Sequence, residues 1–188
     1  MDERKWIERI LAGDTQSFSC LVAKYEKMAY TIALRILENR EEAEEAVQDA
    51  FVKMYRALSD FHFDSKFSTW FYRIVYRTAL TALRQQRMFV SYEEAGPVDL
   101  SNDEVESATA LLEREDRKEM IARTLKKLPA DEALLLTLYY LEECSVEEIC
   151  QITELSASNV KVKLFRGRKR FYDCLLYTSP SPRDRSVS

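Results

Sequence analysis

The side chains best suited to chemistry are cations gathered on two stretches of the chain. Residues 155–172 carry six of them and no acid: Lys161, Lys163, Arg166, Arg168, Lys169 and Arg170. Residues 65–92 carry five cations, again without an acid. Clustered cations neutralise phosphates, and short polar residues such as Ser158 and Asn159 can reach base edges. The pattern therefore indicates nucleic-acid binding.

An enzyme site has little support in the sequence. The only histidine is His62, and Cys20, Cys144, Cys150 and Cys174 form no CxxC pair. There is no Gly-rich phosphate loop and no set of nucleophile, histidine and acid. We expect no catalytic residue, no metal site and no cofactor. The cysteines are expected to be small buried or half-buried thiols, with redox sensing as the alternative.

Composition favours a helical chain. Of the 188 residues, 46% are apolar and 32% are charged, and there are only 3 glycines and 4 prolines, which is typical of a soluble all-α protein. No segment approaches the roughly 18 apolar residues of a membrane span, and the charged start lacks the apolar core of a signal peptide. We therefore expect an all-α protein in the cytoplasm, without membrane insertion.

Capping signals and apolar periodicity predict the helices around the cationic stretch at residues 65–92. Asp14 and Asn39 are N-cap candidates, and Glu42 completes a capping-box pattern with Asn39. The predicted helices cover about residues 2–12, 14–37, 40–58 and 67–88, with an irregular loop at 59–66. In helix 67–88, one stripe is cationic and a second is apolar. Helix 40–58 displays acids opposite its apolar face.

A change in composition divides the chain into two domains. Residues 89–107 contain Gly96-Pro97, six acids and no cation, so they are predicted to form a flexible acidic linker. The first domain would span residues 1–88 and the second 108–176. Residues 177–188 form a Ser, Pro and Arg mixture that we expect to be disordered, and that resembles translated adapter or vector sequence.

The second domain has helix-turn-helix spacing. Helices are predicted at about 108–127 and 129–141, then after Ser145, which forms a capping-box pattern with Glu148. A turn near 152–155 leads to the last helix, 156–172. In that helix an apolar seam is expected opposite the basic face, and its members are Val160, Leu164, Gly167 and Phe171. Such a helix suits DNA.

Several motifs in order carry a family resemblance. They are the runs 43–51 (AEEAVQDAF), 67–74 (FSTWFYRI), 128–129 (LP), 139–141 (YYL), 145–149 (SVEEI) and the helix 160–170. From about Phe18 to Cys174 the chain resembles the extracytoplasmic-function family of bacterial RNA polymerase sigma factors. The resemblance implies that residues 1–88 bind core RNA polymerase and the −10 promoter element, and that the second domain binds the −35 element. It also implies an anti-sigma factor as a partner.

The resemblance assigns roles to three groups of residues. The polymerase-binding group is Glu41, Glu44, Glu45, Gln48 and Asp49. The group for the −10 element and its melting is Phe61, Phe63, Asp64, Ser65, Lys66, Phe67, Trp70, Arg73, Arg77 and Arg84. The −35 group is Ser158, Asn159, Lys161, Lys163, Arg166, Lys169 and Arg170.

Two of these assignments, and the function as a whole, have an alternative. The acids of helix 40–58 could form a plain solvated face. The aromatic residues of the loop could stack on an extruded base, whose extrusion costs a few kcal/mol, or simply pack beneath the loop. For the whole chain, the competing function is a helix-turn-helix regulator whose first domain senses a signal or dimerises.

Three residues depart from the family pattern. Arg77 stands where asparagine is common, so the base preference downstream is expected to differ. Glu154 stands where glycine is usual, which implies either a different turn or a non-glycine residue in the left-handed region. Lys163 replaces a common arginine and weakens the case for bidentate guanine recognition.

Overall fold

The protein is described by a computed structural model over residues 3–90 and 112–178, with side chains over 3–86 and 119–175. In the first unit the helices are α1 (Glu3–Leu11), α2 (Thr15–Leu37), α3 (Arg40–Arg56) and α4 (Phe67–Val90), with a 3-10 helix at Leu58–Asp60. In the second they are α5 (Leu112–Lys126), α6 (Ala130–Tyr140), α7 (Val146–Thr153) and α8 (Ala157–Thr178). No strand occurs over those ranges, and the predicted fold class, two helical domains with a helix-turn-helix in the second, is confirmed.

Local capping explains where α2 and α3 begin. Asp14 accepts a hydrogen bond from the Gln16 amide at 3.0 Å, and Asn39 accepts one from the Glu42 amide at 3.2 Å. The Glu42 carboxylate accepts from Gln86 of α4 instead of completing a box. Side-chain oxygens at these positions satisfy amides that have no partner within the helix.

The capping box predicted at the start of α7 is present in full. The Glu148 amide donates to Ser145 Oγ at 3.1 Å, and the Ser145 amide donates to Glu148 Oε2 at 2.8 Å. This reciprocal pair fixes the first turn of the first helix of the helix-turn-helix.

Each unit has an apolar core built from the predicted faces. In the first, α2, α3 and α4 pack on one another, and the most deeply buried side chains include Leu21, Ile32, Met54, Phe71 and Val75. In the second, α6, α7 and α8 bury Leu135, Leu138, Ile149, Ile152 and Val160. The seam predicted on α8 is buried at Val160, Leu164 and Gly167 and half-buried at Phe171.

Several predicted boundaries differ from the structure. Helix α3 ends at Arg56 because Leu58–Asp60 tightens into a 3-10 turn. Helix α8 continues to Thr178, beyond the predicted end at 172, so the first two residues of the predicted tail are helical. Helix α4 continues to Val90, beyond the predicted end at 88, so the first two residues of the linker predicted at 89–107 are helical. The rest of that linker lies outside the described residues, as does the tail from 179. Within the described ranges, none of the helices has the length and apolar character needed to cross a membrane.

The two units are in contact. Helix α4 packs against α7, and α2 packs against α6. The Tyr72 hydroxyl donates to Glu142 at 2.8 Å, and the Arg35 guanidinium donates to the Leu125 carbonyl at 3.3 Å. Helix α7, the first helix of the helix-turn-helix, therefore lies against α4, which carries the cations of residues 67–90.

Candidate nucleic-acid and protein interfaces

The aromatic residues of loop 59–66 are not equivalent. Phe61 and Phe67 are buried, at 6% and 3% exposure, whereas Phe63 is 40% exposed. The Phe63 ring lies 4.8 Å from the Phe61 ring, and Trp70 lies 5.0 Å from Phe61, centroid to centroid. Phe61 and Phe67 therefore pack beneath the loop, as the alternative interpretation expected. Their rings support exposed Phe63 and half-buried Trp70.

Phe63 is held in an uncommon backbone conformation. Its φ is 61°, in the left-handed region that bulky residues rarely adopt. The Arg4 guanidinium of α1 lies 4.8 Å from the ring centroid, a cation–π contact. Strain of this kind persists where the surrounding structure imposes it, and it concentrates at functional sites.

Beside the loop, the predicted cations lie on the outer side of α4. Arg73, Arg77 and Arg84 are exposed, as are Lys66 and, in the loop, Asp64, while Ser65 is half-buried. Three of these cations face acids of the second unit. Lys66 Nζ lies 3.0 Å from Glu148 Oε1, Arg73 Nη2 lies 3.3 Å from Glu154 Oε1, and Arg77 Nε donates to the same oxygen at 3.0 Å.

Glu154 resolves one of the open alternatives. It ends α7 with φ 62° and ψ 16°, and its amide donates to the Cys150 carbonyl at 2.8 Å. The turn is thus conventional, with a non-glycine residue in the left-handed region. Hydrogen bonds from Arg77, helped by Arg73, lower the pKa of the Glu154 carboxyl. At Glu148, burial acts to raise the pKa, but the Ser145 amide and the Lys66 ammonium outweigh it and the pKa is lowered.

The acidic face of α3 is displayed as predicted by its periodicity. Its five members, Glu41, Glu44, Glu45, Gln48 and Asp49, are all exposed, opposite buried Ala43, Ala46 and Ala50. A groove between α2 and α3 has Glu44 and Gln48 on one wall and Tyr30 on the other. Acids here disfavour DNA by repulsion and leave the face suited to a protein.

The predicted residues on the basic face of α8 fall into two groups, those that are exposed and those that form ion pairs within the protein. Ser158, Asn159, Lys161, Arg166 and Lys169 are exposed. Lys163 instead forms an ion pair with Asp131 of α6, which is its structural role here.

Arg170 is the other member of the predicted −35 group that forms an ion pair within the described residues. It contacts both carboxylate oxygens of Glu132 at 3.2 Å. Glu132 is only 5% exposed, and a buried carboxylate needs such a partner. Arg170 therefore supports the attachment of α8 to α6.

Sequence reasoning missed an apolar surface on the second unit. Phe165 and Tyr172 of α8 are 65% exposed, and Tyr140 and Leu141 at the end of α6 are also largely exposed. The signal was available, since Phe165 falls between the cations of the basic face and off the apolar seam. Tyr140 also accepts a hydrogen bond from Arg168 at 3.4 Å, so aromatic and cationic groups alternate on this surface.

The cysteines follow the expectation with one exception. Cys144 is buried, and burial raises the pKa of its thiol to about 11. Cys150 and Cys174 are half-buried, but Cys20 is exposed on α2, which the prediction of buried or half-buried thiols had not covered. Over the described part of the chain, no cluster of three His, Cys, Asp or Glu side chains could hold a metal ion.

Comparison with known proteins accounts for both units. Residues 21–88 match the family model for sigma-70 region 2, and residues 118–171 match that for sigma-70 region 4. The RNA polymerase sigma-H factor of Pseudomonas aeruginosa is 32% identical, covering 89% of this chain and 90% of that protein. The ECF RNA polymerase sigma-E factor of Escherichia coli K12 is 31% identical, covering 87% and 88%.

The chain belongs to the extracytoplasmic-function family of RNA polymerase sigma factors. It is thus a transcription initiation factor that directs RNA polymerase, as the resemblance implied. The alternative of a helix-turn-helix regulator with a sensing domain is excluded, because its first unit is a sigma-70 region 2.

Two solved structures show the same fold. The structure of CnrH in complex with the cytosolic domain of CnrY has a TM-score of 0.61 at 21% identity, covering 94% of this chain and 99% of that chain. The sigma factor RpoE, solved with the anti-sigma factor NepR from Bartonella quintana, has a TM-score of 0.69 at 17% identity, covering 87% and 99%.

Proposed function

We propose that this sigma factor divides promoter recognition between its units, with the first binding and opening the −10 element and the second binding the −35 element. Phe63 carries the proposal for the first unit. It is an exposed ring on a buried aromatic base, beside the cations of α4. An unpaired base needs such a stacking surface, and the strand behind it needs cations.

In the second unit, the start of α8 reads the −35 element. Ser158 and Asn159 lie in its first turn and are exposed, where a recognition helix contacts base edges. Lys161, Arg166 and Lys169 contact phosphates, because their charges have no ion-pair partner among the described residues. Lys163 and Arg170 support the helix from α6.

The acidic face of α3 and the adjoining groove dock onto core polymerase. The face is exposed, continuous and repelled by DNA, so a cationic protein surface is its fitting partner. We expect the chain to act in the cytoplasm with the polymerase, without a catalytic residue, metal site or cofactor of its own.

An anti-sigma factor is the proposed regulatory partner. The support is that RpoE, which shares this fold, was solved with the anti-sigma factor NepR. The exposed aromatic and aliphatic side chains of the second unit, Tyr140, Leu141 and Phe165, offer apolar area for such a partner.

Run-off transcription tests the proposed function. Purified full-length protein and bacterial core polymerase are combined on a library of promoters, and the transcripts are sequenced. We expect transcripts from promoters that share two separated elements. Association with core polymerase without promoter-specific transcripts would contradict the proposal.

A further inference from the structure

Acids of the helix-turn-helix form ion pairs with cations of the first unit. Glu148 pairs with Lys66, and Glu154 pairs with both Arg73 and Arg77. Three of the four cations assigned to the −10 group are therefore neutralised by carboxylates of the same chain. We name these five residues the inter-unit clasp.

The clasp stands on a packed contact between helices. Helix α4 lies against α7, and Tyr72 of α4, which is 2% exposed, donates a hydrogen bond to Glu142 at 2.8 Å. On the other side, Arg35 of α2 bonds the Leu125 carbonyl at the end of α5. The carboxylates are thus presented by a second unit that contacts the first unit at several points.

Both acids are positioned by backbone features of α7. Glu148 gives one oxygen to the capping box at Ser145 and the other to Lys66. Glu154 occupies the left-handed position that ends the helix. It pairs with Arg77, so two of the three residues that depart from the family pattern contact each other across the units.

We propose that the clasp is an autoinhibitory contact in which Glu148 and Glu154 occupy the place of DNA phosphates on the −10 face. This proposal rests on the proposed function, because it regulates the face assigned there to the −10 element. While the clasp is closed, DNA meets neutralised cations and two carboxylates that repel it. Opening separates Lys66, Arg73 and Arg77 from these two carboxylates together.

The ion pairs of the clasp are weak enough for a reversible switch. The paired side chains remain partly exposed, so each ion pair is individually weak and is screened by salt. DNA carries one charge for about every 1.7 Å of duplex and releases counterions when it binds. Promoter DNA on the polymerase can therefore displace two carboxylates that hold the free protein closed.

The test removes the two charges and preserves the local structure. In Glu148→Gln with Glu154→Gln, glutamine keeps the capping box, which accepts Glu or Gln at this position. The matched control is Glu38→Gln with Glu147→Gln. It removes the same charge from a left-handed helix end and from α7, at residues without an ion pair within the described chain.

Two measurements on the full-length variants report the outcome at low salt. Small-angle X-ray scattering gives the radius of gyration, which is about 16 Å for a compact chain of 188 residues. Fluorescence anisotropy gives the affinity for a fluorescein-labelled single-stranded 20-mer of random sequence. We expect the clasp variant to expand and to bind the oligonucleotide about 5-fold or more tightly than the control does.

A charge exchange provides an independent arm. Arg77→Glu alone is expected to expand the protein, and Arg77→Glu with Glu154→Arg is expected to restore the compact radius. This arm needs no DNA, so it is informative even if the −10 assignment fails. An exchanged pair that stays expanded would contradict the clasp.

The outcomes separate the two proposals. An unchanged radius, a change of equal size in the control, or an expansion without tighter oligonucleotide binding overturns autoinhibition. If the clasp variant expands and binds more tightly but run-off transcription shows no promoter specificity, the clasp stands and the proposed function fails. If promoter-specific transcripts appear and the radius is unchanged, the proposed function stands and the clasp fails.

Discussion

The ring of Phe63 lies 4.8 Å from the ring of Phe61, yet only Phe63 reaches solvent. One aromatic residue of the loop is a surface and the other is its support. Substitution of each residue should therefore have a different consequence.

Phe63→Ala should uncouple polymerase recruitment from promoter opening. It removes a stacking surface worth about 1–3 kcal/mol per base, comparable with the cost of extruding that base. The acidic face of α3 and the second unit are unchanged. Gel shifts should show the closed complex, and permanganate should find the promoter thymines unreactive. A template with a pre-melted bubble should restore transcription, and normal opening on duplex DNA would refute the role of this ring.

Phe61→Ala should instead destabilise the fold. Truncating a buried phenylalanine costs about 3–5 kcal/mol, and Phe61 also supports Phe63, Phe67 and Trp70. Urea unfolding followed by far-UV circular dichroism measures the loss. A stable Phe61→Ala variant with defective opening would show that this ring contacts DNA directly.

The difference between these two phenylalanines could not be predicted from the sequence. Both are aromatic, and they lie two residues apart in a segment without helical periodicity. Their burial depends on the left-handed φ at Phe63 and on the packing of Phe67 and Trp70 from α4. The local signals were sufficient elsewhere: Asp14, Asn39 and Ser145 cap helices as expected, because a cap depends on the three or four residues beside it.

The same limit applies to the basic face of α8. Periodicity located the face, but Lys163 and Arg170 differ from Arg166 only in having acids of α6 opposite them. Those acids lie more than 30 residues earlier in the chain. Asp131 and Glu132 lie in the first turn of α6, where acids are common, so their position in the sequence did not indicate that Glu132 would be buried and paired with a cation.

Arg166→Ala with Lys169→Ala should weaken binding to the −35 element. Both side chains are exposed, so removing their charges from the DNA phosphates should reduce affinity for matched and scrambled sites alike. The slope of log affinity against log salt should fall by about one for each phosphate that is no longer neutralised. Titrations at several salt concentrations measure it. Loss of preference for the matched site with an unchanged slope would show that these residues read bases.

Arg170→Ala should lower the free energy of unfolding. It leaves the buried Glu132 carboxylate without its cation, at a cost of about 1–3 kcal/mol. Glu132→Gln in the same background should recover part of that loss, because the amide does not need a cation. Chemical denaturation of the two variants provides the comparison, and wild-type stability of Arg170→Ala would place Arg170 in the DNA-binding group.

Glu45→Lys with Asp49→Lys should abolish association with core polymerase while the protein stays folded. Both residues point away from the apolar face of α3, so the change affects only the exposed acidic face. Glu143→Lys with Glu147→Lys makes the same charge change on exposed residues of the second unit and should bind normally. Pull-down with core enzyme measures the difference. Normal binding by the α3 variant would show that this face is only a solvated helix surface and does not bind the polymerase.

Glu154→Gly should raise thermal stability when ion pairs are screened. A non-glycine residue in the left-handed region costs of the order of 1 kcal/mol, which glycine avoids. In about 1 M salt, where the Debye length is about 3 Å, the pairs with Arg73 and Arg77 contribute little. The melting temperature should then rise by about 2–4 °C for a chain of this size. A fall would show that the Glu154 side chain stabilises the turn itself.

Photocrosslinking in the open complex tests the division of promoter recognition most directly. A photoreactive amino acid replaces Phe63 in one variant and Arg166 in another, and each is assembled with core polymerase on a promoter obtained from the transcription library. We predict crosslinks from position 63 to unpaired bases of the −10 element, and from position 166 to duplex DNA at the −35 element. Crosslinks from both positions to one element, or from position 63 to protein alone, would contradict the account.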